Sequence, residues 1–184
     1  MLLIVTHSRS GTTQQLAEAV LAGVGDAAAG VGAAAAGCDA AAGGDGGGGP
    51  GADDPGVSDS GARGYEVRAL DAFEAGPKDV LAASGVILGT PARFGYMSGA
   101  MKDFLERIYA PCLGVTGGLP WALFVKGDTD VAGATSSVER IITGLAWRRV
   151  LPVLEVVGDI GPEHLVAARE LGGSMAAGLA FGLW

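Results

Sequence analysis

Cysteine, histidine and basic residues are scarce in this sequence of 184 residues. Its two cysteines, Cys38 and Cys112, lie far apart and form no C-x-x-C pair, so neither a disulfide framework nor a structural zinc site is predicted. Two isolated histidines make no metal-ligand motif, and we expect no bound metal. Twelve Lys and Arg against twenty Asp and Glu give a net charge of -8 without any basic run, which argues against nucleic acid as a partner.

Long apolar runs are also absent. No stretch reaches about 18 apolar residues without a charge, so no membrane-spanning helix is predicted. The apolar start, residues 1–5, lacks both a basic leader and a long apolar core, and it does not resemble a signal peptide. We therefore expect a cytoplasmic protein with no membrane partner.

One segment has a composition unlike the rest of the chain. Residues 26–63 hold 12 Gly, 12 Ala and 6 Asp among 38 positions. Small side chains bury too little apolar area to offset the entropy of ordering, so this segment is predicted to be a disordered insertion in a surface loop. The chain is then one domain, 1–184. Outside the insertion, 11 basic and 14 acidic residues leave a net charge of only -3.

Apolar runs and amphipathic stretches alternate along the remaining sequence. Strands are predicted at 2–5, 65–70, 85–89, 121–125 and 153–157, with a helix after each of them. Ser98 is the predicted N-cap of the third helix, and Ser136 or Ser137 that of the fourth. Five strands alternating with helices predict an α/β fold, a doubly wound parallel sheet covered by helices on both faces.

The loop after the first strand carries four hydroxyl side chains and a glycine, and it leads directly into a helix. These residues are Ser8, Ser10, Gly11, Thr12 and Thr13. Ligands of open parallel sheets bind where strands end, and hydroxyl and amide donors at a helix N-terminus suit a phosphate dianion. Helix capping is the alternative explanation. The Walker and dinucleotide glycine patterns are both missing, which favours the terminal phosphate of a mononucleotide.

Two further loops are predicted at the same edge. Residues 89–99 contain Pro91, Arg93, Phe94, Gly95 and Tyr96, a set that suits a flat heteroaromatic ring held by stacking and backbone donors. Alternatively, Phe94 packs into the core and Arg93 is solvated. The polar loop 126–135 is long enough to fold over the edge of such a ring, or it is an ordinary solvated connection.

Three stretches resemble known families. The run Ser8-x-Ser10-Gly11-x-Thr13 resembles the flavodoxin phosphate pattern T/S-x-T/S-G-x-T. Residues 89–102 closely resemble the G-T-P-T-R-F-G-N-M-S-x-x-M-K stretch of WrbA-type NAD(P)H:quinone oxidoreductases, and residues 109–113 and 143–147 are similar to actinobacterial flavodoxin-family proteins. The resemblance covers nearly all of the chain except the insertion.

This resemblance implies a flavodoxin-like fold with strand order 2-1-3-4-5 and one non-covalent FMN. It assigns the FMN phosphate to Ser8, Arg9, Ser10, Gly11, Thr12 and Thr13, the isoalloxazine to Pro91, Ala92, Arg93, Phe94, Gly95 and Tyr96, and its other side to the 127–133 loop with Gly127, Asp128, Thr129 and Gly133.

The resemblance also implies a function. The expected activity is an FMN-dependent oxidoreductase that takes hydride from NAD(P)H and reduces a quinone or similar small acceptor, with no catalytic residue supplied by the protein itself. A one-electron carrier of the flavodoxin type is the alternative, and a regulatory module without cofactor is a third. Homo-oligomers, either dimers or tetramers, are frequent in this family.

Overall fold

A computed structural model of the protein describes residues 1–8, 11–38 and 66–184. The elements in chain order are β1 (Leu2–Thr6), α1 (Thr12–Cys38), β2 (Val67–Asp71), α2 (Pro77–Leu81), β3 (Gly85–Arg93), β4 (Tyr96–Met97), α3 (Gly99–Cys112), β5 (Pro120–Gly127), α4 (Ala132–Gly144), β6 (Arg148–Arg149), β7 (Leu154–Val157) and α5 (Pro162–Ala180). No helix in these described ranges is long and apolar enough to cross a membrane.

The central sheet is parallel in the order β2-β1-β3-β5. Two short strands complete it, because β6 pairs with the start of β5 and β7 pairs with its end. In the numbering of the five predicted strands this is the order 2-1-3-4-5, which confirms the predicted fold class. The short β4 lies antiparallel to the end of β3.

Alternate residues of each central strand point to opposite faces of the sheet. Leu3 and Val5 belong to one core cluster, together with buried side chains of α2, α3 and α4. Leu2 and Ile4 belong to a second cluster, together with buried side chains of α1 and α5. The unbroken apolar runs of the sequence are therefore explained by strands that are covered on both faces.

The two predicted helix caps have different outcomes. Ser98 caps α3 as expected, because its Oγ accepts a hydrogen bond from the Met101 N–H at 3.2 Å. The prediction for α4 was wrong, since that helix begins at Ala132, whose N–H donates to Asp130 Oδ1 at 3.0 Å. Ser137 lies inside the helix, where its hydroxyl donates to the Ala134 carbonyl at 2.8 Å. An aspartate two residues before the helix has taken the capping role.

The helix α1 extends into the predicted insertion. Residues 26–38 are helical, so the expectation that disorder begins at residue 26 was wrong. Alanine has the highest helix propensity and loses no side-chain entropy, which lets this Ala-rich stretch continue an established helix. An ion pair between Asp26 Oδ2 and Arg169 Nε at 2.5 Å also joins it to α5. The remainder of the predicted insertion, 39–63, lies outside the described residues.

Candidate functional site

The first predicted loop lies where β1 passes into α1. The pairing of β1 with β3 extends one residue beyond the end of β1, because the His7 N–H donates to the Gly89 carbonyl at 3.2 Å. Gly11 has a φ of 78°, a left-handed conformation that suits glycine, and its carbonyl accepts from the Gln15 N–H at 3.2 Å. Thr12 opens the first turn of α1. Arg9 and Ser10 lie outside the described residues, so their assignment to a phosphate stays a prediction.

Two hydroxyl groups of this loop are buried and lack a hydrogen-bond partner among the described residues. They are Ser8 Oγ and Thr13 Oγ1, and Thr13 is fully buried. Leaving a buried polar group unpaired costs about 1–3 kcal/mol. The buried hydroxyl of Thr90 on the neighbouring strand β3, by contrast, is paired. It donates to Ser98 Oγ and accepts from the Ser98 N–H. Unpaired hydroxyls at a helix N-terminus match an anionic ligand, because the ligand would supply the acceptors that they lack.

The second predicted loop is a β-hairpin. The strand β3 runs as far as Arg93 and pairs with β4 in the register Ala92 to Met97 and Arg93 to Tyr96. Its turn consists of Phe94 and Gly95, with φ angles of 52° and 69°. The predicted end of the third strand at residue 89 was therefore wrong, because β3 continues to Arg93 and pairs with β4 across this two-residue turn. The turn pushes the Phe94 ring fully into solvent, so the alternative of a core phenylalanine was also wrong.

The third predicted loop is short, because Gly127 ends β5 and Gly133 already belongs to α4. Asp128 forms an ion pair with Lys126, a lysine that is itself buried. The hydrogen bond from Lys126, its charge and the charge of Arg93 hold the pKa of Asp128 below its ordinary value. Thr129 is exposed. Asp130 of the same loop accepts from the Ala132 N–H, so its polar side chains serve an ion pair and the start of α4.

Glycines bring the second and third loops into direct contact. A Cβ atom at Gly133 would lie 2.0 Å from the Gly95 carbonyl oxygen, so the first turn of α4 packs against the hairpin turn. A Cβ atom at Gly127 would lie 3.1 Å from the Ala92 Cβ. Both loops therefore form one continuous wall at the carboxyl edge of the sheet.

A cavity of about 710 Å³ opens between the hairpin and the ends of β1 and β2. It is lined by His7, Phe73, Pro91, Arg93 and Phe94, and by residues 97–100, where β4 leads into α3. Its volume lies within the range of about 300–1,000 Å³ typical of small-molecule sites. Three of its lining residues were predicted from the sequence, namely Pro91, Arg93 and Phe94. Tyr96 instead lines a separate groove between α3 and α4.

The sequence did not assign residues 97–100 to the site, and it also missed two cavity residues from other elements, His7 and Phe73. The position of His7 directly after a buried strand was an available signal, because that is where ligands of parallel sheets bind. Phe73 gave no such signal, since its loop reaches the cavity only through the pairing of β2 with β1. No group of three His, Cys, Asp or Glu in the described part of the chain is placed to hold a metal ion.

Comparison at the level of sequence gives a short match. No family model matches the chain. A segment of 34 residues is 53% identical to an NAD(P)H dehydrogenase (quinone) of Acidithiobacillus ferrooxidans, but it spans only 18% of this chain and 17% of that protein.

Solved flavodoxin structures are similar over nearly the whole chain. An archaeal flavodoxin has a TM-score of 0.69 at 15% identity, with 97% of each chain covered. The two-electron reduced flavodoxin of Megasphaera elsdenii has a TM-score of 0.65 at 16% identity, covering 96% of this chain and 98% of that one. A WrbA-like flavodoxin from Agrobacterium tumefaciens has a TM-score of 0.65 at 15% identity, covering 97% and 96%. The chain has the flavodoxin-like fold.

Proposed function

We propose that this chain holds FMN non-covalently at the carboxyl edge of its sheet and passes hydride or electrons from NAD(P)H to a quinone or similar acceptor. The observation that carries the proposal is the pair of buried hydroxyls of Ser8 and Thr13, on either side of the start of α1, which have no hydrogen-bond partner within residues 1–8, 11–38 and 66–184. A terminal phosphate offers the acceptor oxygens that both hydroxyls need, and the positive end of the helix dipole favours its charge.

The remaining phosphate ligands are proposed from the sequence pattern. Arg9, Ser10 and Thr12 join Ser8 and Thr13 in the pattern that resembles flavodoxins, and Gly11 keeps backbone free of a side chain at the turn. A Cβ at Gly11 would meet nothing within 4 Å, so space is open beside this backbone. An anion that approaches there is met by amide and hydroxyl donors together.

The hairpin is the proposed support of the flavin ring. Pro91, Arg93 and Phe94 line the cavity, and the packing of Gly133 on Gly95 fixes the hairpin against α4. The backbone N–H groups from Phe94 to Tyr96 are proposed as donors to the ring edge. FMN would supply the hydride and electron chemistry when bound, while these residues orient it and keep water from its covered side.

The donor and the acceptor are less directly supported than the cofactor. The short match to an NAD(P)H dehydrogenase (quinone) favours NAD(P)H as donor and a quinone as acceptor. A cytoplasmic location and a homo-oligomer, either a dimer or a tetramer, remain predictions from the sequence and the family resemblance.

A one-electron carrier is the second candidate, favoured by the flavodoxins among the similar structures. A redox titration distinguishes the two. A stabilised one-electron state with slow NAD(P)H oxidation supports the carrier, and fast NADPH bleaching of the yellow protein without that state supports the oxidoreductase.

The phosphate assignment is tested with Thr13→Val and Ser8→Ala. Each removes one donor, so the Kd for FMN, measured by fluorescence titration, should rise about tenfold to hundredfold. The stability of the cofactor-free Thr13→Val protein should stay equal or increase, because the variant removes a buried hydroxyl that no described residue pairs with.

Thr143→Val is the matched control for these variants. Thr143 is exposed near the end of α4, away from the proposed site, and its hydroxyl donates to the Glu139 carbonyl, so FMN affinity should not change. The proposal fails if both site variants bind FMN as the wild type does. It fails outright if the purified protein is colourless and ignores added FMN, which would support the regulatory module.

A further inference from the structure

A histidine and an aspartate from neighbouring strands form a pair at the cavity. His7 follows β1 directly, and Asp71 is the last residue of β2, opposite Thr6 in the strand register. The His7 Nδ1 lies 3.1 Å from Asp71 Oδ2, and the His7 side chain is only 13% exposed. A carboxylate accepts but does not donate, so this contact places the proton on Nδ1.

The same carboxylate fixes the aromatic wall beside the imidazole. Asp71 Oδ1 accepts a hydrogen bond from the Phe73 N–H at 2.9 Å. The rings of His7 and Phe73 meet edge to face, with centroids 5.3 Å apart and an interplanar angle of 81°. Phe73 nevertheless remains 62% exposed. An exposed ring held from two directions is arranged for a ligand that packs on it.

The loop that carries Phe73 is anchored from α3 as well. The Arg107 guanidinium donates to the Ala72 carbonyl at 2.6 Å and to the Ala75 carbonyl at 2.7 Å, on either side of Phe73. Arg107 Nε is itself paired with Asp103 at 2.7 Å. The position of this wall is therefore set by hydrogen bonds from two elements, so little ordering cost is left for ligand binding.

One nitrogen of the imidazole has no assigned role. His7 Nε2 has no hydrogen-bond partner among the described residues, while His7 lines the cavity beside Phe73 and the hairpin. With Nδ1 oriented by Asp71, Nε2 accepts a hydrogen bond when the ring is neutral and donates one when it is charged. In the charged ring the Nε2–H can donate to the carbonyl of an oxidised ring, and in the neutral ring Nε2 can accept from the hydroxyl of its reduced form.

We propose that His7, oriented by Asp71, is a binding residue for the electron acceptor: in the charged ring its Nε2–H donates to the carbonyl oxygen of a planar ring that packs against Phe73. This inference rests on the proposed function and adds the position and the polar anchor of the acceptor. Asp71 and Arg107 are positioning residues, which act through His7 and Phe73 respectively.

The test uses menadione, a planar dicarbonyl ring, titrated into oxidised FMN-loaded protein without electron donor, at about pH 5.5, where a free imidazole is charged. Asparagine reproduces the reach of Nδ1 and glutamine that of Nε2. The Kd for menadione should therefore rise about tenfold in His7→Asn and His7→Phe, but stay near the wild-type value in His7→Gln. The Kd for FMN, measured in the same samples, should not change in any of them.

The other histidine is the matched control. His164 Nδ1 accepts from the Gly161 N–H at 2.9 Å at the start of α5, and the His164→Gln variant should bind menadione normally. In ¹⁵N NMR spectra, menadione should shift the His7 Nε2 signal and leave the His164 signals in place. The histidine signals can be followed in cofactor-free protein too, so this readout is independent of FMN.

Each outcome separates the inference from the proposed function. Equal menadione affinity in His7→Phe and the wild type overturns the inference while FMN binding stands. A loss of FMN affinity with unchanged menadione binding also overturns it, since His7 would then serve the cofactor. A protein that binds no FMN overturns the proposed function, and an unshifted His7 signal in that protein overturns the inference as well.

Discussion

The two faces of the sheet are covered by different kinds of contact. On the face of α3 and α4, large buried side chains such as Phe104 and Met101 fill the space between helix and strand. On the other face, α1 and α5 approach each other through glycines. A Cβ at Gly23 would lie 1.9 Å from the Arg169 carbonyl oxygen, and one at Gly172 would lie 2.1 Å from the Val20 carbonyl oxygen.

Large side chains also pack against the strands on the second face, so the difference lies in the contact between α1 and α5. The first face is stabilised by large side chains that fill the space between helix and strand, so its stability should be most sensitive to side-chain truncation. On the second face, glycines without side chains let the backbones of α1 and α5 touch, so its stability should be most sensitive to added side-chain atoms. Substitutions that reverse these properties test the comparison.

Truncation on the first face should have the largest effect. Phe104 is fully buried, and Phe104→Ala should lower the free energy of unfolding by about 3–5 kcal/mol, because it removes apolar contact and leaves a cavity. Urea unfolding measures the change. Phe181→Ala is the control, since Phe181 is 62% exposed and its loss should cost within about 0.5 kcal/mol. Equal losses in the two variants would contradict the assigned core.

A single added methyl group should destabilise the second face. In Gly172→Ala the new Cβ meets the backbone of Val20, which cannot rotate away, and the free energy of unfolding should fall by about 1–3 kcal/mol. Gly25→Ala is the control in α1, because its Cβ meets nothing within 4 Å, and there alanine should stabilise by about 0.5–1 kcal/mol. The same sign for both variants would show that α1 and α5 are not in backbone contact.

The cysteine of the first face should report on its opening. Cys112 is fully buried, and this burial raises the pKa of its thiol, which lowers the fraction of reactive thiolate. In a Cys38→Ser background, modification by a disulfide reagent should be slow in the native protein and faster in Phe104→Ala, as the open state becomes more populated. Rapid labelling of the folded wild type would mean that this face is accessible.

The smallest effect is expected in the loop after β5, which lies at the carboxyl edge of the sheet and belongs to neither face. The pKa of Asp128 is lowered from its ordinary value of 3.8, chiefly by its hydrogen bond and charge interaction with Lys126. The pair therefore contributes stability above pH 3.8, and this contribution is lost as the pH falls through the lowered pKa. Asp128→Asn should flatten the acid limb of the stability curve slightly, as thermal unfolding between about pH 2 and 5 would show. A steeper limb would contradict the pairing.

Much of the fold followed from the sequence, because its signals are local. The unbroken apolar runs of β1, β3 and β5 predicted strands covered on both faces, and Ser98 predicted the start of α3. The hairpin was not predicted, since its turn is Phe94-Gly95 and a phenylalanine at positive φ is uncommon. The helical part of the Ala-rich segment was not predicted, because composition alone does not show that a preceding helix can continue into alanine-rich sequence.

The site was predicted in part, and the limit was distance along the chain. The hydroxyls of Ser8 and Thr13 lie within a few residues of each other, so their pattern was visible in the sequence. The pairing of His7 with Asp71 joins residues 64 positions apart, on either side of the Gly- and Ala-rich segment. Only the register of β2 on β1 brings them together.

The length of α1 determines where the Gly- and Ala-rich segment joins the domain. Its 27 residues span about 40 Å, whereas the five of β1 span roughly 17 Å, so the helix extends well past the sheet. The chain re-enters at Val67, beside Leu2. Both attachment points of the segment thus lie at the amino edge of the strands, and the cavity opens at the opposite, carboxyl edge.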